Sequence, residues 1–111
     1  MTAKDSEPFE LNLNAVKAQV DLTPWRVVWG PNNRRWTFKH LELLNEWALV
    51  AEADKGDGAA MRAVFREALG SDEWEDFEKI AMPRYKAKAM WKAYQKHCAI
   101  APGESGGSTD S

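Results

Sequence analysis

The sequence has few of the residues that most often build catalytic or metal centres. It contains one cysteine and two histidines among 111 residues. A single cysteine cannot form a disulfide within the chain, which is consistent with a reducing cytosol. His40 and His97 lie far apart in the sequence, and neither stands in a motif that pairs a nucleophile with a base. We therefore expect no catalytic residue and no enzymatic activity.

Signals for metals and cofactors are missing as well. His97 and Cys98 are adjacent, so on a helix their side chains point about 100° apart. The sequence offers no second pair of ligands for a tetrahedral metal site, and it has no glycine-rich phosphate loop. We predict that the protein holds no metal and no cofactor, and that Cys98 is a small core residue. Its function then depends on contact with a partner.

Long hydrophobic runs are also absent. No apolar segment reaches the length of a membrane span. Residues 1–10 are acidic and polar, unlike a signal peptide. We therefore expect a cytoplasmic protein without membrane contact. The formal net charge of −2 also argues against a general binder of polyanions.

Tryptophan, by contrast, is abundant, with six residues in this short chain. Large aromatic side chains give a small core much buried area. We divide the chain into a partly flexible lead (1–22), one domain (23–99) and a flexible Gly/Ser-rich tail (100–111). In the lead, alternation of Phe9, Leu11 and Leu13 favours a short strand, whereas the spacing of Leu13, Val16 and Val20 favours a helix. That choice stays open.

The domain begins with two short segments of alternating character. Trp25, Val27 and Trp29 share one strand face, and Trp36 and Phe38 alternate with polar residues. The four residues 30–33, Gly-Pro-Asn-Asn, have turn chemistry. This pattern predicts a β-hairpin with aromatic pairs across its strands. Because an isolated hairpin is marginally stable in water, its aromatic face must cover other elements.

Four segments with helical spacing follow the hairpin. We expect Asp57 and Ser71 to act as N-caps, Gly70 to end the second helix in a left-handed conformation, and Pro83 to stand in the first turn of the last helix. The predicted fold is mainly α: a compact group of about four helices with an N-terminal β-hairpin and disordered tails. The apolar stripes are Leu41, Leu44, Ala48 and Ala51; Met61, Val64, Phe65, Ala68 and Leu69; Trp74, Phe77 and Ile80; and Ala87, Met90, Trp91, Tyr94 and Cys98.

An aromatic platform on the hairpin is the first candidate for partner binding. Small hairpins often leave part of such a face open, where it can grip an apolar segment or stack on bases. The tryptophans on the helix stripes, Trp47, Trp74 and Trp91, are expected in the core. The predicted platform consists of Trp25, Trp29, Trp36 and Phe38.

A basic stripe on the last helix is the second candidate. Arg84, Lys88, Lys92 and Lys96 recur every four residues, and no acidic residue occurs between Lys79 and Cys98. Like charges at this spacing destabilise a helix by about 0.2–0.5 kcal/mol per pair. We expect an acidic counterpart, either in the preceding acidic helix or in a partner protein that the stripe guides electrostatically. Solvation of the stripe and nucleic-acid binding by a small regulatory module remain alternatives.

Several segments carry a family resemblance in their order and spacing. They are the helix end Phe65…Leu69-Gly70, the pair Trp74-x-x-Phe77, the ending Tyr94-x-x-His97, and Gly103-Glu104-Ser105 followed by small residues. Between about Trp36 and Ser105 the chain resembles the tail assembly chaperones of long-tailed bacteriophages, in particular the short product encoded just upstream of the tape measure protein. It departs from that pattern at Ala99, where a glycine is expected, and in its Trp-rich hairpin.

The resemblance implies a non-enzymatic function in tail assembly. Such a protein binds the long, apolar, helical tape measure protein in the host cytoplasm, keeps it soluble, helps to recruit tail tube subunits, and is absent from the mature virion. Ribosomal frameshifting near the end of the reading frame yields a longer fusion that contacts the tail tube protein. The flexible segment around Gly106-Gly107 suits that junction. A structural head–tail component is an alternative, and self-association stays open.

Overall fold

A computed structural model describes residues 10–99, which form a two-stranded antiparallel hairpin followed by four α-helices. The elements are β1 (Trp25–Val28), β2 (Arg35–Phe38), α1 (Glu46–Ala53), α2 (Asp57–Leu69), α3 (Ser71–Glu78) and α4 (Arg84–Cys98). The predicted mainly α fold with an N-terminal hairpin is confirmed. The predicted flexible tail (100–111) and the first nine residues of the lead lie outside the described residues. No helix within residues 10–99 is long and apolar enough to cross a membrane.

The described part of the lead contains a single 3-10 turn. This turn spans Leu13–Ala15, and the Asn12 side chain accepts a hydrogen bond from the Asn14 backbone N–H at 3.1 Å. Neither the strand nor the α-helix considered for this region forms within residues 10–22. The lead joins the domain at Thr23, whose carbonyl oxygen lies 2.7 Å from His97 Nε2 at the end of α4.

The hairpin has one core face and one solvent face. Trp25 pairs with Phe38 and Val27 pairs with Trp36, so these four side chains share the inner face. In the turn, Gly30 has a φ of +90°, which favours glycine. A Cβ on this residue would also lie 2.7 Å from the Ile80 Cδ1 atom. The backbone conformation therefore favours glycine here, and a larger residue would also displace the end of the Ile80 side chain just after α3.

Aromatic side chains from β2 and the helices form the centre of the core. Phe38 lies 5.7 Å, centroid to centroid, from both Phe65 of α2 and Phe77 of α3. Trp36 meets Phe77 edge-on at 4.9 Å, and its other side is covered by the Arg34 guanidinium, 3.8 Å from the ring centroid. Tilted and edge-on pairs of this kind add to the stabilisation from burial. The inner face of the hairpin is thus covered by the helices, as expected.

The first helix begins later than its apolar spacing predicts. Leu41–Leu43 form a 3-10 turn and Leu44 is extended. The Asn45 side chain then accepts a hydrogen bond from the Trp47 backbone N–H at 3.1 Å, so that α1 starts at Glu46. Trp47 faces solvent with 77% of its surface exposed. The prediction that Trp47 belongs to the core is therefore wrong, whereas Trp74 is buried as predicted. Trp91, also expected in the core, is only half-buried and packs against the core from its edge.

The other helix ends follow the expected residues with small shifts. Gly70 ends α2 as predicted and has a positive φ of +97°, but its ψ of 144° lies outside the expected left-handed helical region. Asp57 and Ser71 are the first residues of their helices, and glycines occupy the cap positions before them, so neither side chain caps a helix. Pro83 stands immediately before α4, and its carbonyl oxygen accepts the first hydrogen bonds of that helix.

Candidate functional site

The predicted aromatic platform is not an open surface. Trp36 and Phe38 are 0% exposed, because α2, α3 and α4 cover the inner face of the hairpin. They cannot contact a partner in the folded protein, and their assignment to a binding surface is corrected. Trp25 and Trp29 are half-buried and line a shallow cavity of about 280 Å³ beside α4.

The predicted basic stripe does lie on the surface. None of its four cations forms an ion pair with an acidic residue of the described chain. Two acids of α3 have other partners, since Glu78 pairs with Arg62, and Asp76 lies 3.6 Å from Arg34. The counterpart expected in the preceding helix is therefore not used, and the stripe is left open to solvent. Its members are Arg84, Lys88, Lys92 and Lys96.

Three of these cations border a groove between α2 and α4, which we call the α2–α4 groove. It has a volume of about 790 Å³ and is open on one side to solvent. Its apolar floor includes Met61 and Val64 of α2 and Trp91 of α4. The Trp91 ring meets Phe65 of the core edge-on at 5.6 Å, and this contact fixes its orientation. The cations on the α4 rim are Arg84, Lys88 and Lys92.

The groove continues into a second cavity under the link between α3 and α4. The two cavities share Gly58, Met61 and Ala87, and the second has a volume of about 340 Å³. Met82 and Met90 line it together with Met61. Methionine is flexible and polarizable, so such a lining adapts to apolar side chains of different shapes. The two cavities together form one continuous apolar channel beside α4.

A second open apolar surface lies on α1. Six of the eight α1 residues are apolar, so the helix has no polar side to turn to solvent. One side packs toward α2, and Trp47 and Val50 project from the other, with 77% and 49% of their surfaces exposed. Glu46 and Asp54 stand at the two ends of this face. Helical spacing alone placed Trp47 in the core, so this face was not predicted. The sequence signal that indicates it is the presence of apolar residues on every side of α1.

A buried polar cluster lies where the hairpin meets the end of α4. His40 is fully buried, and its Nδ1 accepts a hydrogen bond from the Glu42 backbone N–H at 3.0 Å. The Tyr94 hydroxyl donates to the Lys39 carbonyl at 2.6 Å, and Cys98 Sγ accepts from the Leu41 N–H at 3.3 Å. These contacts satisfy backbone groups next to the hairpin.

The ionisation of this cluster also indicates a structural function. Burial, and then the neighbouring His97, lower the pKa of His40. Burial raises the pKa values of Tyr94 and Cys98, so both stay protonated near neutral pH. A protonated, buried thiol is a poor nucleophile, and Cys98 is a core residue as predicted. Among the residues that the structure describes, no three histidine, cysteine or carboxylate side chains gather as a metal site.

The residues that carry the family resemblance occupy structural positions. Trp74 and Phe77 stack in the core with their centroids 5.4 Å apart, and Leu69 and Gly70 form the end of α2. Tyr94 and His97 fasten α4 to the hairpin and the lead, while residues 103–105 lie outside the described part of the chain. No protein family model, curated protein or solved structure matches the chain.

Proposed function

We propose that this protein is a tail assembly chaperone of a long-tailed bacteriophage, which binds apolar helical segments of the tape measure protein during tail assembly. The family resemblance supplies the biological setting. The observation that carries the proposal is the α2–α4 groove, an apolar channel open to solvent between two helices. Grooves of this kind bind the apolar face of an amphipathic helix.

The dimensions of the groove fit a helical segment of about three turns. Residues from Arg84 to Gln95 of α4 line it, and this stretch spans about 16 Å at 1.5 Å per residue. A helix of that length presents apolar anchors at positions i, i+4 and i+7. The floor receives them between Met61 and Trp91, where the adaptable methionines tolerate different sequences. A chaperone for a long repetitive helix needs such tolerance.

Affinity and orientation have different sources in this arrangement. Burial of apolar surface contributes about 25 cal/mol per Å², and the basic rim mainly orients the encounter. The contact surface is thus the groove with its rim, and not the hairpin platform of the sequence-based prediction. The chain binds and releases the segment without catalysis, and it acts in the host cytoplasm before the virion is complete.

A longer form made by ribosomal frameshifting extends this function to the tail tube protein. The groove lining reaches Gln95, about one turn before the end of α4 at Cys98. A junction around Gly106-Gly107 joins an added domain after this helix in the sequence, so the two modules engage different partners. Nucleotide sequence over the last codons, read for a slippery run and an open overlapping frame, tests this part.

Co-expression tests the proposed function. The tape measure protein of the same phage is expected to stay soluble with this chain and to precipitate without it. Ala60→Glu, which places a charge in the groove, is expected to abolish the protection, whereas Ala93→Glu on the exposed side of α4 serves as the matched control. Equal solubility with and without the chain contradicts the proposal. Finding the chain in purified particles points instead to a structural head–tail component.

The basic stripe, which pairs with no acid in the described part of the chain, favours one second candidate function, a nucleic-acid-binding or regulatory module. Regularly spaced cations can neutralise successive phosphates, and binding then weakens steeply with salt. For this candidate all four cations should contribute, including Lys96, which does not line the groove. Binding of DNA or RNA over a salt series, with Lys88, Lys92 and Lys96 replaced by glutamine, measures this contribution.

A further inference from the structure

We infer that the α2–α4 groove selects amphipathic helices that carry acidic residues along one flank of their apolar stripe. This inference rests on the proposed function and names the class of segment that the groove binds. It follows from the juxtaposition of an apolar floor with three cations on the α4 rim that form no ion pair with an acid of residues 10–99.

The occupant is a helix because the groove offers few backbone partners. Both walls are α-helices, and beyond their first turns at Asp57 and Arg84 the N–H and C=O groups along the floor are bonded within the helix. An extended segment would therefore lie over Met61 and Trp91 with unpaired backbone groups, and these are costly to bury. A helix satisfies its backbone internally. It needs only apolar side chains to fill the floor.

The sign of the charge follows from the α4 rim. Arg84, Lys88 and Lys92 repeat at the four-residue spacing at which like charges destabilise a helix. No acidic residue of the described chain lies within ion-pair distance of them. A bound helix with carboxylates every four residues matches this repeat, since both run at about 6 Å per step. It relieves the repulsion and adds charge-assisted contacts.

The charge belongs on one flank only, because the two rims differ. The α2 rim of the groove is formed by Gly58 and Ala60 with the acid Asp57, and the nearby cation Arg62, which lines the adjoining cavity, is already paired with Glu78. An acidic flank turned toward α2 would lie near the Asp57 carboxylate and would form no favourable ion pair with it. The bound helix is therefore oriented with its acids against α4. This asymmetry distinguishes a selective site from a general apolar groove.

Other occupants match these features less well. The acidic helix α3 of a second copy has its apolar residues, Trp74 and Phe77, buried in its own core. The exposed face of a second copy's α1 has its acids, Glu46 and Asp54, at the two ends of a two-turn helix and not along one flank. A nucleic acid would meet the cations but would leave the apolar floor without a matching surface.

Binding of matched helical peptides to the full chain tests the inference. The peptides share one apolar stripe and carry glutamate, glutamine or lysine at three positions, four residues apart, on one flank. A fourth peptide carries the glutamates on both flanks. By fluorescence anisotropy at low salt, we expect the one-flank glutamate peptide to bind about tenfold more tightly than the glutamine peptide. We expect this preference to shrink at high salt, and the two-flank peptide to bind less tightly than the one-flank peptide.

Charge variants locate the effect on the groove. Lys88→Gln with Lys92→Gln should remove the preference, and Lys88→Glu with Lys92→Glu should transfer it to the lysine peptide. Lys96→Gln, outside the groove, is the matched control and should leave the preference unchanged. These cations are exposed, so the variants are expected to fold.

Four outcomes overturn the inference. Equal binding of glutamate and glutamine peptides removes the charge selection while leaving an apolar groove and the proposed chaperone function intact. Failure to bind any peptide, combined with protection of the tape measure protein in cells, removes the groove as the site. Self-association that competes with the peptides and is lost in the same charge variants assigns the groove to a second copy. Competition by duplex DNA that depends equally on Lys96 assigns the stripe to nucleic acid.

Discussion

Trp36 and Trp47 lie eleven positions apart and have opposite environments. Trp36 on β2 is 0% exposed, and Trp47 on α1 is 77% exposed. Both belong to short segments in which apolar residues recur with a regular period. The difference between them shows that periodicity identifies which residues share a face but does not determine whether another element covers that face.

Local chemistry around each residue explains the difference. The hairpin has polar residues such as Arg26 and Thr37 on one face, so only its other face can turn inward. Trp36 also donates a hydrogen bond from Nε1 to the Trp29 carbonyl at 3.0 Å, which satisfies its one polar atom. Helix α1 has apolar residues on both sides, and the Asn45 cap sets the residue at which it begins. Only one of those sides can face α2.

Replacing each tryptophan by alanine gives the largest expected contrast. We expect Trp36→Ala to lower the free energy of unfolding by about 3–5 kcal/mol, because it leaves a large cavity in the core. We expect Trp47→Ala to change it by less than about 0.5 kcal/mol. Urea denaturation followed by circular dichroism measures both values.

A loss of that size is a large part of the total stability of a small domain, so Trp36→Phe provides the control. It keeps an aromatic ring in the cavity and loses the hydrogen bond to Trp29, and its stability should fall between those of the wild type and Trp36→Ala. A Trp47→Ala variant that loses as much stability as Trp36→Ala would show that α1 packs with Trp47 inside.

Much of the fold could be predicted from the sequence, because several local signals agree. Gly30 and the asparagines after it set the hairpin turn, Gly70 ended α2, and the alternation through Trp25 and Val27 gave the inner face. The late start of α1 could not be predicted from apolar spacing. It depends on the Asn45 side chain, which acts as the N-cap and so sets the start of α1 at the next residue. The spacing of the leucines gives no information about this cap.

The candidate site was predictable only in part. The charge pattern identified the rim, Arg84, Lys88 and Lys92, because a cationic repeat is visible in one dimension. The groove depends on the separation between α2 and α4, and helix separation is a tertiary property. Aromatic content pointed to the hairpin instead, where α2, α3 and α4 cover Trp36 and Phe38.

Removal of the Tyr94 hydroxyl tests how firmly the buried hairpin is held. Tyr94→Phe loses the hydrogen bond to the Lys39 carbonyl just after β2 and leaves that carbonyl without its partner. We expect the free energy of unfolding to fall by about 1–3 kcal/mol. Urea denaturation measures this loss, and the slope of the free energy of unfolding against urea concentration should stay unchanged. An unchanged midpoint would mean that this bond does not help to hold the hairpin against α4.

The N-cap of α1 provides a test in the exposed helix that carries Trp47. Asn45→Ala removes the acceptor for the Trp47 N–H, and we expect a loss of about 1 kcal/mol. Asn45→Asp retains an acceptor and is the matched control, with stability close to that of the wild type. If Asn45→Ala is as stable as the wild type, the cap does not determine where α1 begins.

Acidification should lower the free energy of unfolding through protonation of the buried His40. Its pKa is lowered in the folded state by burial and by His97, so below its ordinary value of 6.5 the unfolded chain binds the proton more readily. The free energy of unfolding should be flat above about pH 7 and fall as the pH drops below 6.5. His40→Gln, which does not titrate, should reduce this slope. A profile that is flat between pH 7 and 5, or that rises on acidification, contradicts the expectation.

The Arg62–Glu78 ion pair should give the smallest effect, because its side chains, like that of Trp47, are accessible to solvent. Arg62 Nη2 donates to Glu78 Oε1 at 2.8 Å, and this hydrogen bond is the main reason that the pKa of Glu78 is lowered. Both side chains are nearly half exposed, so water and salt screen the pair. A double-mutant cycle with Arg62→Gln and Glu78→Gln is expected to give a coupling of about 0.2–1 kcal/mol that shrinks in high salt. A coupling that does not change with salt and equals the loss of stability in Tyr94→Phe would contradict this expectation. It would mean that the Arg62–Glu78 pair is held as tightly as the core, so that the contrast between buried and exposed regions would not extend to ion pairs.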